Sequence, residues 1–129
     1  MATSKWDQLQ MGSKIIQILS DAQSHNIGHH FGKPFMTSYQ IAIEFRQRFP
    51  KDFQTIGKEI GGKGIGQHNS LAQYIARELS NRIKNGKIQN IEGRFLWRKH
   101  LHTIQYDSGN IESSSMQAFD LSIFRIADK

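Results

Sequence analysis

The stretch 61–99 leaves this chain few ways to fold. Gly61-Gly62-Lys63-Gly64-Ile65-Gly66 carries too little side chain to propagate a helix, so it interrupts the chain between two ordered parts. It runs through Gln67-His68-Asn69-Ser70 into a segment with strong helical periodicity, Leu71 to Lys84, for which Asn69 or Ser70 supplies the N-cap. At 100° per residue Leu71, Ala72, Ile75, Ala76, Leu79 and Ile83 gather on one face, and Ser70, Gln73, Arg77, Asn81 and Lys84 on the other. Asn85-Gly86 is a turn, and beyond it the pattern becomes extended.

Charge follows the same boundary. Lys63 to Lys99 hold eight Lys/Arg against two acids, Glu78 and Glu92, an excess equal to the net +6 of the whole chain. Residues 1–62 carry +2 and residues 101–129 carry −2, so the basicity is local. A positive helix followed by a positive extended segment suits a surface that meets a polyanion, and nucleic acid is the first candidate.

The totals bound the rest. At 129 residues the chain fits a single domain with one core. A 37% hydrophobic share with eight Phe and two Trp is enough to fold, which excludes global disorder. The absence of cysteine removes disulfide and thiol chemistry. The start, Met1-Ala2-Thr3-Ser4-Lys5-Trp6-Asp7, lacks the apolar run of a signal peptide, and no run approaches the ~20 apolar residues of a membrane span. The expectation is a cytoplasmic protein with no membrane partner, nucleoid-associated if it binds DNA.

Thr3 or Ser4 caps a first helix through Trp6, Leu9, Ile15, Ile16, Leu19 and Ala22, interrupted by Gly12 and ending near residues 24–26. Residues 26–34, with two glycines and Pro34, read as a loop. Thr37 or Ser38 caps a second helix that turns Ile41, Ala42 and Phe45 inward and stops before Pro50. Asp52 caps a short third helix through Ile60, burying Phe53, Ile56 and Ile60. After Gly86, short strands fall around Ile88 and Ile91, Phe95 and Trp97, and residues 101–106, with turns near Glu92-Gly93 and Lys99-His100. Asp107-Ser108-Gly109-Asn110 is a further turn, Ser113-Ser114-Ser115 is polar, and residues 119–126 read as a strand with a helix as the alternative.

Helix, short helix, glycine loop, helix and basic hairpin, over about residues 35–106, resemble the winged helix-turn-helix DNA-binding family. The resemblance implies an α+β, mostly helical fold: a winged-helix core at 35–106, an extra N-terminal helix within 1–26 and a C-terminal extension at 107–129. In that family the third core helix, here Leu71 to Lys84, enters the major groove and the wing, here 87–100, follows the backbone or minor groove. The implied partner is double-stranded DNA, bound as a regulator or accessory subunit. Ser70, Gln73, Arg77 and Asn81 are the base-edge candidates, because amide and guanidinium groups pair with base edges in bidentate fashion. Lys63, Gly64, Gly66, Lys84, Lys87, Arg94, Arg98 and Lys99 are the phosphate candidates. The departures from the family pattern are the long glycine-rich approach to the third core helix and the C-terminal tail.

Other chemistries find less support. Gly57-Lys58-Glu59-Ile60-Gly61-Gly62-Lys63 follows a Walker A run until Gly64 stands where Ser or Thr should hold magnesium, and no apolar strand precedes it. The glycine loop then reads either as a cradle for a DNA phosphate or as a linker. Six histidines invite a metal, above all His100-x-His102 on one face of a strand and His25 with His29-His30, yet no cysteine or suitably spaced carboxylate joins them. His68 reads as a polar contact. Asp107 and Glu112 lack the lysine that a metal-dependent nuclease site would add. No cofactor, metal or catalytic residue is expected, and Trp6, Trp97 and the phenylalanines read as core or interface. A two-fold dimer through residues 6–19 would space two such helices one DNA turn apart. A protein–protein adaptor of the same shape and a nuclease-type or phosphate-binding enzyme subunit are the competing classes.

Overall fold

Five helices and three strands form among residues 4–23, 30–61, 70–102, 104–107 and 120–127, which the computed structural model of the chain describes. In order they are α1 (Lys5–Gln8), α2 (Met11–Asp21), β1 (Met36–Thr37), α3 (Ser38–Arg48), α4 (Pro50–Ile56), α5 (Leu71–Lys84), β2 (Ile91–Leu96) and β3 (Leu121–Ile126). The class is α+β, with an antiparallel sheet in the order β1-β3-β2.

The helices begin where side chains satisfy their first N–H groups. Ser4 caps α1, accepting from the Asp7 amide. Thr37 and Gln40 form a reciprocal capping box on α3: the Gln40 amide donates to Thr37 Oγ1 at 3.1 Å and the Thr37 amide to Gln40 Oε1 at 2.8 Å. The single first helix expected from the sequence is broken at Gln10, in the left-handed region with φ 53°, and not at Gly12. The break turns Trp6 back onto the core, where its ring meets Tyr74 edge-on with centroids 5.8 Å apart. The third helix also differs from expectation. It starts at Pro50, whose missing N–H costs nothing in a first turn, and ends at Gly57, which takes a left-handed φ of 71° that other residues resist.

α5 has the bounds its periodicity predicts. Its first four amides all have acceptors: Leu71 donates to the Glu59 carbonyl at 2.6 Å and Ala72 to that of Ile60 at 3.0 Å. Gln73 donates to Ser70 Oγ at 3.1 Å and Tyr74 to the Ser70 carbonyl at 3.0 Å. The first turn of α5 therefore leaves no backbone donor open, while the glycine loop read as a phosphate cradle or a linker lies outside the described residues.

The largest departure concerns the sheet. β2 does not fold back within 87–100. It pairs antiparallel with β3, from Ile91 opposite Ile126 to Leu96 opposite Leu121. Residues 121–126, placed by the sequence in a C-terminal extension, are the central strand, with β1 on their other edge through Met36 opposite Phe124. Glu92-Gly93, expected as a turn, lies inside β2. Gly93 faces Phe124, and a Cβ on it would sit 3.2 Å from Phe124 Cε1 and 3.6 Å from Ile83 Cδ1. This glycine makes room for a ring and does not turn the chain. Among the described residues, 97–107 contain no strand beyond an isolated bridge at Gln105.

The core lies where α3 and α5 pack together, with α2 across α3 and β3. Ile15, Ile18, Ile41, Phe45, Ile75 and Leu79 are fully enclosed. The apolar face of residues 6–19 that the sequence offers to a second copy is covered by the chain itself: Trp6 of α1 and Met11, Ile15 and Leu19 of α2 are buried in this core. Arg48 links α3 to α2 through Asp21 at 2.6 Å, and Lys14 links α2 to α4 through Asp52. No helix of the described residues is long and apolar enough to cross a membrane.

Candidate functional site

Burying Leu71, Ala72, Ile75 and Leu79 fixes the rotation of α5, and the opposite stripe then faces outward. Arg77, Ser80, Asn81 and Lys84 are exposed along it at three- and four-residue steps, and Gln73 is half-buried at its start. Ser70 is not part of this surface. It is buried, its Oγ engaged by the Gln73 amide, because a cap must sit under the first turn.

Tyr74 anchors one edge of the stripe. The Arg77 guanidinium lies 5.9 Å and the Lys58 ammonium 5.8 Å from its ring centroid, so two cations flank one ring. Burial, and then the nearby Glu78 carboxylate, raises the Tyr74 phenol above its ordinary value.

The other edge of the stripe meets β2. A groove of about 250 Å³ runs between them, with Ser80 and Ile83 on the α5 side, Arg94 and Phe95 on the β2 side, and Gly93 and Phe124 beneath. Gly93 lets strand and helix approach this closely.

The cations of this region divide into engaged and outward-facing groups. Arg82 belongs to the interior architecture: it bonds Glu78, lies 4.0 Å from Asp7 and covers the Trp6 ring at 4.8 Å. Glu92 is shared between Arg125 and Arg94, each at 2.8 Å. The hydrogen bond from Arg125 holds the Glu92 carboxyl below its ordinary value, against a smaller opposing effect of desolvation. Arg94 is thus partly compensated. The Arg98 amide donates to Asp120 Oδ1 at 3.0 Å, tying the end of β2 to the start of β3. None of the ion pairs among the described residues includes Arg77, Lys84, Lys87 or Lys99.

Lys63, Gly64 and Gly66 lie outside the described residues, as do His25, His29, His68 and Glu112. His100 and His102 do not share a strand face: His100 has a left-handed φ of 71° and meets the Trp97 ring edge-on at 6.3 Å. Among the described residues, no group of three or more His, Cys, Asp or Glu side chains is arranged to hold a metal.

Sequence reasoning missed three features. Ser80 joins the α5 stripe, and its position three residues after Arg77 would have placed it there. Lys58 reaches Tyr74 from the segment after α4, which local patterning does not reveal. Of the two readings the sequence leaves for Trp97, core or interface, its 64% exposure and the 72% of Phe95 exclude the core, which local patterning does not decide. Strand alternation assigns faces but not where a strand outruns the helix that covers it.

Comparison with protein-family models, with curated proteins and with solved structures gave no match for this chain.

Proposed function

We propose that this chain is a winged-helix protein that binds double-stranded DNA, with α5 in the major groove and the β2–β3 pair as the wing. The groove shared by α5 and β2 carries the reading, because it makes the polar stripe around Ser80 and the basic edge around Arg94 one continuous surface. Three helices, α3 to α5, followed by an antiparallel strand pair suit this reading. A major groove about 12 Å wide admits a helix, and base edges are read there by amide, hydroxyl and guanidinium groups. Gln73, Arg77, Ser80 and Asn81 take that role. Lys84, Lys87, Arg94, Arg98 and Lys99 neutralise phosphates, which sets register without reading sequence.

The test is a selection from random duplexes, followed by anisotropy titrations at several salt concentrations. Arg77→Ala should cost about 1–3 kcal/mol on the selected site and relax preference at one base position. Lys99→Ala should weaken every duplex alike and reduce the slope of log affinity against log salt by about one. Absence of duplex affinity at low salt would overturn the reading in favour of a protein–protein adaptor.

A further inference from the structure

We propose that the exposed end of β2 and the residues after it form a stacking platform for unpaired bases. The protein would then prefer duplex interrupted by a single-stranded gap over intact duplex. This rests on the nucleic-acid reading above and adds to it the class of substrate.

Phe95 and Trp97 are 72% and 64% exposed, and Leu101 is 41% exposed beside them in sequence, while the other tryptophan, Trp6, is 3% exposed. Aromatic side chains are normally withdrawn from water, and exposed rings this close in sequence mark a contact surface. The indole of Trp97 is held by its neighbours: the Lys99 ammonium lies 5.4 Å from its ring centroid and His100 meets it edge-on at 6.3 Å. With these two contacts the indole is still 64% exposed and open to a base.

Charge selects the occupant. Residues 94–102 contain Arg94, Arg98 and Lys99 and no acid, so cations alternate with aromatic rings along the chain. Single-stranded nucleic acid offers the complementary alternation, phosphates between π-faces. An intact duplex keeps its bases stacked on one another and has no face to present. The platform continues the groove beside α5, since Phe95 lines both. One molecule would therefore hold duplex on α5 and an adjoining unpaired stretch on Phe95 and Trp97.

The chain's own fluorescence reports the contact. Trp97 is the exposed one of its two tryptophans, so its emission is the part a bound base can reach. The full chain would be titrated with oligothymidylate, heparin, an intact duplex and the same duplex carrying a three-nucleotide gap. Oligothymidylate and the gapped duplex should quench the exposed emission, while heparin, a polyanion without bases, should not. The gapped duplex should bind roughly tenfold more tightly than the intact one, the scale of one stacked base. The double variant Phe95→Ala/Trp97→Ala should bind both duplexes alike. Its folding is checked by urea denaturation, where two exposed side chains should change little.

Equal affinity for gapped and intact duplex in the wild type, equal quenching by heparin, or a preference that survives in the double variant would each overturn the proposal. So would a dimer by light scattering that the double variant converts to monomer, which would assign the patch to a second copy. Binding of oligothymidylate without any affinity for intact duplex would sink the duplex-binding reading and leave the stacking platform standing.

Discussion

Gly93→Ala perturbs the point where the sheet meets α5. Gly93 sits in β2 opposite Phe124, and an added Cβ would lie 3.2 Å from Phe124 Cε1, 3.4 Å from Cδ1 and 3.6 Å from Ile83 Cδ1. The first distance is a few tenths of an ångström inside ordinary contact. Phe124 is 2% exposed and can give only toward the groove it lines, so part of the strain passes into the core and α5. Overpacking of this kind costs about 1–3 kcal/mol. Loss of glycine's freedom in the unfolded chain offsets about 0.4–1 kcal/mol. The expected net effect is a loss of up to about 2.6 kcal/mol, with a larger loss for Gly93→Val. Urea unfolding followed by circular dichroism should show a lower midpoint at unchanged slope, because the area exposed on unfolding is the same. If Gly93→Ala were stabilising and Gly93→Val neutral, Phe124 would not cover Gly93, and the close approach of β2 to α5 would be wrong.

Gly61→Ala should destabilise by about 1–3 kcal/mol in the same assay, since Gly61 has a φ of 140° and its Cβ would fall 2.8 Å from Tyr39 Cε1; a neutral result would contradict that geometry. Ser70→Ala should cost about 1 kcal/mol of stability through the lost cap and leave the affinity of the folded protein for duplex unchanged, whereas a base-contacting serine would show the reverse. The bond from Arg125 to Glu92 stabilises the fold while the carboxyl is ionised. Because folding lowers the Glu92 pKa, that contribution is complete above the ordinary glutamate range and fades as the pH falls through the lowered value. Glu92→Gln should flatten the acid limb of stability against pH, and an unchanged limb would show that Glu92 does not contribute to it.

The sequence carried the helices well, because caps and apolar spacing are local. Thr37 with Gln40, and Ser70 with the run from Leu71, contain within a few residues most of what starts α3 and α5. Gly57 and Pro50 were equally local, yet Asp52 and the glycine run competed with them as boundary signals. The sheet was less legible. Partners 25 to 35 residues apart, such as Leu96 with Leu121 and Ile91 with Ile126, are chosen by tertiary packing, and a glycine under a ring looks in sequence like a glycine in a turn. The outward stripe of α5 follows from periodicity, whereas the helical angle that puts Ser70 on that stripe does not include the burial that capping imposes. The exposure of Phe95 and Trp97 depends on where α5 stops covering β2, which composition does not encode.

The surface formed by α5 and β2 is the centre of the account, and amide chemical-shift mapping tests it most directly. Isotope-labelled protein would be titrated with a selected duplex at moderate salt, and every resolved backbone amide followed. The account expects the largest shifts at Gln73, Arg77, Ser80, Asn81 and Lys84 and at Arg94, Arg98 and Lys99. The buried face of α5 and the α2–α3 packing should remain near their free positions. Shifts concentrated on α2 and α3, or no shifts at saturating duplex, would contradict it.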